Sequence, residues 1–344
     1  MAKHDLPAIT QWITTAAREH GERLPEHVME RLGLSRRSAL ALLNKLVGAQ
    51  WLVRDGKRRK TPYRPGALKQ VVQRYALDGL QEDLPWQRDF ALHFELPANV
   101  ARMAQHAFSE LLNNAIDHSG GSQVTVSLRQ TAMHLQLLVS DDGCGVFNRI
   151  QQNFDIADPT LAMLELSKGK LTSSPDAHSG HGLFFTSRLA DVFDLHANRR
   201  AFQYRGWDRR SWHTTKAMPR DGTSIYLAVN LDTERTLDSV LKAHSVKGDR
   251  YTFETTSVPL QLMTGLHTGL ESRAQAKRVA SRLQRFRRAE IDFSGIQDVG
   301  HGFADELFRV FSRQNVGVEI VPVGMAPRVA AMIASVREAA AETA

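Results

Sequence analysis

Cysteine is all but missing. Cys144 stands alone in 344 residues, which excludes an internal disulfide and any zinc site built on several thiolates. No apolar run approaches the ~18 residues of a membrane-spanning helix, so no membrane partner is expected. The amino terminus has no signal-like apolar core, and the expected location is cytoplasmic. Internal repeats are absent, as is low-complexity sequence before the alanine-rich tail. Disorder of the whole chain is excluded too, because 42% of the residues are hydrophobic and only 24% charged. At roughly 150 residues per domain, the length predicts two or three domains.

Acidic charge is scarce at one end only. Residues 1–75 hold fifteen Lys and Arg against six Asp and Glu, while the other residues carry twenty-nine basic and thirty-one acidic side chains. The whole net charge of +7 therefore comes from the amino-terminal segment. Such asymmetry predicts a polyanion-binding module joined to a neutral body.

Within 1–75, helical spacing over Leu24–Leu32 stops at Gly33, and Ser35 is a good N-cap for a second helix carrying Leu40, Leu43, Leu46 and Val47. Trp51-Leu52-Val53 reads as a strand and Asp55-Gly56 as a hairpin turn, followed by the basic run Lys57-Arg58-Arg59-Lys60. This layout resembles a winged helix-turn-helix. Arg36 and Arg37, at the start of the second helix, would then meet base edges, and Lys57, Arg58, Arg59 and Lys60 in the wing would meet phosphates. A small helical docking domain with a solvated basic loop fits the same pattern.

Residues 76–88 read as a linker. Segment 89–230 alternates helix and strand patterns: a helix over 98–118, strands at Val124–Leu128 and His134–Val139, a long Gly/Ser/Asp-containing stretch over about 141–182 read as a lid, and a closing strand Ser224–Val229. Segment 250–338 alternates again, with a basic helix over Leu270–Arg287, strands at Glu290–Phe293 and Gly317–Val323, and helices at Phe303–Phe311 and Ala326–Arg337. That pattern predicts a small α/β domain.

Four motifs in the middle segment carry chemistry. On the first helix, Glu110 and Asn114 are four residues apart and share a face. Asp141-Asp142-Gly143-Cys144-Gly145 follows a strand, Gly180-His181-Gly182-Leu183 opens a helix, and Gly222-Thr223 precedes the last strand. In this order they resemble the GHKL ATPase superfamily, which includes DNA gyrase, heat-shock chaperones, histidine kinases and anti-sigma-factor kinases. The resemblance implies that Asp141 accepts a hydrogen bond from the adenine amino group and that Gly143 and Gly145 allow close approach of the base. It implies that Gly180, Gly182 and Leu183, at a helix start, meet the phosphates of ATP. Thr223 would lie near adenine, Asn114 would ligate Mg²⁺, and Glu110 would be the catalytic base. Histidine kinases carry Asn where this chain has Glu110, and gyrase-like ATPases and anti-sigma kinases carry Glu.

Several conspicuous residues read more plainly. His93 is a packed or surface histidine, and Cys144 occupies a variable position of its motif. Lys168 and Lys170 either reach the γ-phosphate from the lid or are solvated. Arg199, Arg200, Arg205, Arg209 and Arg210 read as an exposed strand surface. His178 and His181 lack a third metal ligand at sensible spacing.

Further along, Ile291-Asp292-Phe293-Ser294-Gly295 and Gly300-His301-Gly302-Phe303 resemble a STAS-like domain. STAS domains include the substrates of anti-sigma kinases, and His301 stands where those carry the phosphorylated serine.

The resulting expectation is a multidomain α/β chain: a winged helix (1–75), a linker (76–88), a GHKL α/β sandwich of the Bergerat type (89–230) and a small STAS-like α/β domain (250–338). The expected function is an ATP-binding regulator in which binding or slow hydrolysis switches domain packing and DNA binding, hence transcription. The alternative is a serine/threonine protein kinase of the anti-sigma-factor type acting on a partner regulator. ATP and Mg²⁺ are the expected ligands. DNA, a protein regulator docked through the STAS-like domain, and a second copy paired in an ATP-dependent homodimer are the expected partners.

Overall fold

The computed structural model describes residues 5–54, 56, 61–171, 180–207, 212–216, 221–248, 251–264 and 269–342. The chain divides into two compact units, Met1–Asp142 with Tyr226–Glu234, and Gly143–Ile225 with Arg235–Ala344. Among the described residues no helix is long and apolar enough to cross a membrane.

In the first unit, helices α1 (Leu6–Thr10), α2 (Ile13–His20), α3 (Leu24–Leu32) and α4 (Arg36–Gly48) precede a two-stranded antiparallel hairpin, β1 (Leu52–Arg54) with β2 (Tyr63–Pro65). Gly33 closes α3 in the left-handed region, and the Ser35 hydroxyl accepts the Ser38 N–H at 3.3 Å to open α4. Ile13, Leu24, Val28, Leu43 and Leu46 bury their side chains in this module's core, and Leu52 and Tyr63 join it from the hairpin.

Strand β3 (Lys69–Ala76) runs antiparallel to β4 (Gln123–Gln130) in full register from Lys69↔Gln130 to Ala76↔Gln123, and β4 pairs with β5 (His134–Asp141). Most of β3 lies in the range expected to belong to the amino-terminal module, yet its partner is the strand following the long helix. Val124, Val126 and Leu128 bury alternate positions of β4, the period-2 pattern of a half-covered sheet.

The stretch expected as a linker is folded chain. It holds the short α5 (Asp83–Pro85) and a following turn, and Trp86 and Phe90 are buried edge-on against Phe108, at 5.3 and 5.2 Å between ring centroids. Its polar composition hid Trp86, whose burial fixes it. Phe108 belongs to α6 (Ala98–His118), which packs on β5 through a stripe that includes Val100, Met103, Ala107, Leu111 and Ala115.

The second unit begins with α7 (Val146–Phe154) and α8 (Pro159–Lys168). The stretch expected to be structureless over about 141–182 therefore contains two helices. Asp158 caps α8 by accepting the Thr160 N–H at 2.8 Å, and Pro159 takes the first helical position. Helix α9 (Gly182–Leu189) follows, then β6 (Val192–Ala197), β7 (Arg200–Arg205) and β8 (Trp212–Lys216), paired antiparallel in sequence order. Strand β9 (Thr223–Asn230) contributes residues to both units. Within the first unit the strands run β3-β4-β5, and within the second β6-β7-β8.

After α10 (Leu237–Lys242) comes a three-stranded parallel sheet, β10 (Thr255–Pro259), β11 (Arg288–Asp292) and β12 (Glu319–Val323), in that order. It is accompanied by α11 (Arg273–Ala280), α12 (His301–Asp305), α13 (Ser312–Gln314) and α14 (Pro327–Glu342). Helix α11 is shorter than the 270–287 expected. A Ser272/Gln275 capping box starts it, and Arg282 at φ +65° lies beyond its end.

Candidate functional site

Glu110 and Asn114 sit one turn apart on α6 and both are half-buried, while Leu111, Leu112 and Ala115 between and beside them point into the core. The opposite face thus keeps a carboxylate and an amide within reach of a ligand. One turn earlier is His106, whose Nε2 is buried with no hydrogen-bond partner among the described residues. Burial pushes the His106 pKa down, and the Glu110 carboxylate opposes that shift. Sequence reasoning passed over His106, although the i,i+4 spacing that singled out Asn114 also reaches it in the other direction.

The two aspartates after β5 have separate fates, as adjacent positions leaving a strand must. Asp141 is 6% exposed. Asp142 is exposed, and its carboxylate accepts the Gln123 N–H at 2.9 Å, the Ser122 hydroxyl at 2.7 Å and the Ser122 N–H at 2.7 Å. These bonds, the Gln123 backbone foremost, hold its pKa below the ordinary value. Asp142 staples the end of β5 to the start of β4 and so fixes where Asp141 lies.

In the second unit, the Gly143-Cys144-Gly145 loop is held from two sides. Gly145 has φ +83°, and a Cβ there would lie 2.5 Å from the Asn198 side-chain oxygen, so only glycine fits. Asn198 Oδ1 accepts the Phe147 and Asn148 N–H groups at 3.1 and 3.2 Å, and its Nδ2 donates to the Cys144 carbonyl at 2.9 Å. Thr223 Oγ1 accepts the Val146 N–H at 2.9 Å. Together they satisfy the first turn of α7. Thr223, expected beside adenine, therefore also fixes the glycine loop. Asn198 was missed; its one sequence signal is an Asn in the turn between two strands, where it takes the left-handed φ of +50°.

Gly180 and Gly182 flank the start of α9. Gly180 has φ +67°, and a Cβ would meet the Leu171 backbone at 2.8 Å. His181 packs edge-on against Phe253 at 4.9 Å, and Phe184 and Phe185, one turn on, contact the same ring at 4.5 and 5.0 Å. Leu183 is half-buried. The glycine turn and the helix it opens are thus seated on one aromatic cluster.

Residues 99–233 match the family model of histidine kinase-, DNA gyrase B- and HSP90-like ATPases. This segment is a GHKL-type ATPase domain. Residues 275–330 match a STAS-like domain of unknown function. A comparison with curated proteins returned no match.

Every nucleotide-site residue expected from sequence falls inside the ATPase domain. Lys168 does not behave as either expectation had it. It is 1% exposed, its ammonium lies 2.5 Å from Glu165, and it donates to the carbonyls of Ser281 at 2.9 Å and Arg278 at 3.3 Å in the STAS-like segment. It is not solvated, and its ammonium is committed to Glu165 and these two carbonyls. Next to it, Lys170 donates to the Arg285 carbonyl at 2.8 Å and lies over the rings of Phe286 and Phe253. In return Arg282 and Arg285 donate to the Lys170 carbonyl at 2.7 and 3.0 Å. The end of α8 is therefore locked to the STAS-like segment, and Phe253 joins that lock to the glycine turn at α9.

Arg36 and Arg37 are exposed on the first turn of α4, with Arg36 3.4 Å from Glu26. Arg199 and Arg200 are exposed as expected, but Arg205 is part-buried and paired with Asp194. Lys57, Arg58, Arg59, Lys60, His178, Arg209 and Arg210 lie outside the described residues. His301 is exposed at the start of α12.

Proposed function

We propose that this chain is an ATP-responsive regulator with three parts: a DNA-binding winged helix-turn-helix over 1–75, the ATPase domain, and the STAS-like domain as the element that reports nucleotide state. The observation that carries the reading is the continuous packing from Gly180–Gly182 through His181 and Phe253 to Lys170, Arg282 and Phe286. A nucleotide that changes the glycine turn must act on this packing, and a packed core switches between discrete arrangements rather than deforming smoothly.

The chemistry follows from the residues. Buried Asp141 accepts the adenine amino group, a polar contact that selects for adenine because an unpaired partner is costly there. Gly143 and Gly145 let the base approach the backbone. Gly180 and Gly182 offer N–H groups to phosphate oxygens at a helix start. Asn114 fits Mg²⁺ as a half-buried side chain with a hard oxygen donor, and the ion would neutralise phosphate charge. Glu110, on the same face, orients a water or hydroxyl for attack.

DNA binding is supported by the clustered charge and by the order of elements: two helices joined at Gly33, then a hairpin, with Arg36 and Arg37 exposed at the head of the second helix. An ATP-dependent homodimer and a cytoplasmic setting complete the proposal. The second reading, a serine/threonine kinase acting on a partner regulator, is favoured by one feature, the pairing of Glu110 with a STAS-like segment. Incubating the protein with γ-labelled ATP and Mg²⁺ separates the two. Label released as free phosphate, slowly, supports the switch; label on an added protein establishes the kinase; label on neither, with ATP unbound, removes both.

A further inference from the structure

Between α2, the β1–β2 hairpin and the chain at His93–Glu95 lies an open cleft of about 540 Å³, within the range of small-molecule sites. It belongs entirely to the first unit and contains none of the nucleotide-site residues. Arg18, Arg64, Lys69 and His93 line it, with Glu95 as the one acidic residue. Lys69 is 8% exposed, and its ion pair is a long one, 3.6 Å to a Glu95 carboxylate whose side chain is 92% exposed. Among the described residues this buried ammonium has a solvated carboxylate as its ion-pair partner, a poor compensation. Arg18 donates one guanidinium nitrogen to the Leu92 carbonyl and keeps further N–H groups.

Two polar atoms of the lining lack partners among the described residues: Tyr63 Oη, on a side chain 2% exposed, and His93 Nδ1. The apolar part of the lining includes Val53, which is 43% exposed for want of a covering group. Cationic donors on one side and an open apolar wall on the other suit a molecule with an anionic head and a less polar body.

We propose that this cleft binds a small phosphate-bearing molecule, its phosphate held by Arg18, Arg64 and Lys69. Guanidinium forks match phosphate oxygens two at a time, which favours phosphate over a lone carboxylate. The site joins the amino-terminal helices to β3, the strand beginning at Lys69 that pairs with β4. Occupancy would fix the module against the sheet edge, giving the regulator a second input independent of ATP.

The test is calorimetric titration of the full-length chain with inorganic pyrophosphate, without DNA and without nucleotide. Wild type is expected to bind, and Arg18→Gln with Arg64→Gln should weaken binding by on the order of tenfold or more, equivalent to about 1.4 kcal/mol per tenfold. Both side chains are exposed, so the fold should survive. Arg74→Gln, outside the cleft, and Asp141→Asn should leave binding unchanged. No binding by wild type, or equal binding by the double variant, overturns the inference. Loss with Asp141→Asn places the anion in the nucleotide site and overturns it as well. A double variant that loses affinity for duplex DNA but not for pyrophosphate assigns these arginines to a DNA backbone, and the inference falls in that case too.

Discussion

Lys168 and Glu165 form an ion pair at 2.5 Å in which the side chains are 1% and 7% exposed, three residues apart on α8. Arg282 approaches the same carboxylate at 3.8 Å, and the Lys168 carbonyl accepts the Thr256 hydroxyl at 2.7 Å. Burial lowers the Lys168 pKa, and the Glu165 charge counters that effect. Breaking such a pair strands a buried charge, at about 3–5 kcal/mol. Lys168→Ala should therefore shift the urea midpoint down sharply, and so should Glu165→Gln, which leaves the buried ammonium without its carboxylate. A Lys168→Ala protein as stable as wild type would mean that the lock between α8 and the STAS-like segment carries no weight.

Asn198 offers a sharper test of the nucleotide pocket. Asn198→Ala removes the acceptor for two N–H groups of α7 and the donor to Cys144, costing about 1–2 kcal/mol as a lost cap and weakening ATP affinity. Asn198→Asp keeps the acceptor but cannot donate to Cys144, so affinity should fall between wild type and Ala. If ATP binds equally to all three in calorimetry, the loop is not positioned from Asn198.

The pH dependence has a definite sign at His244. Burial, then the Arg188 charge, push its pKa down to about 4 from 6.5, and its Nδ1–H donates to the Thr255 carbonyl at 3.1 Å. The unfolded chain takes up a proton as pH falls through about 6.5 while the folded chain does not, so stability is lost between about 6.5 and about 4. At 1.36 kcal/mol per pH unit the loss reaches about 3 kcal/mol. His244→Phe, filling the same aromatic cluster, should flatten the melting temperature against pH over this window. Parallel curves for variant and wild type would contradict the assignment.

The candidate motifs stand out in the sequence because they are local. Asp141, Gly145, Asn114 and Glu110 are each specified by a few adjacent residues on a helix or at a strand end. Asn198, His106 and Lys168 were not, for a common reason: their roles depend on partners distant in sequence or on burial. Nothing in Leu166-Ser167-Lys168-Gly169 says that the lysine will be interred against residue 281. For the fold, periodicity found the long helix and the strands β4, β5 and β9. It missed β3 and β10, where Val71-Val72 and Thr255-Thr256 alternate too briefly to stand out, and it took the Trp86 anchor for linker.

DNA binding rests on charge and can be checked by salt. Affinity of the full-length chain for duplex DNA should fall steeply with salt, because phosphate contacts release counterions. Neutralising Lys57, Arg58, Arg59 and Lys60 should weaken all sequences about equally and reduce the slope, whereas Arg37→Ala should relax sequence preference. No DNA affinity at low salt would make residues 1–75 a protein-docking module.

Turnover, if present, should depend on Glu110. Glu110→Gln keeps the shape of the side chain but cannot take a proton, so ATP should bind and its cleavage should fall by about 10²–10⁴-fold. Equal rates of phosphate release in variant and wild type would remove Glu110 from the chemistry.

The central claim is that nucleotide binding at Asp141 and Asn114 is felt in the STAS-like segment through Phe253 and Lys170. Hydrogen exchange of the full-length chain, with and without Mg²⁺ and ATP, reads this directly in peptides from 275–330. The account predicts that ATP alters exchange in α11 and β11 of the wild type, that Asp141→Asn abolishes the effect, and that Phe253→Ala binds ATP without transmitting it. ATP bound with no change in 275–330, or an equal change in Phe253→Ala, would contradict it.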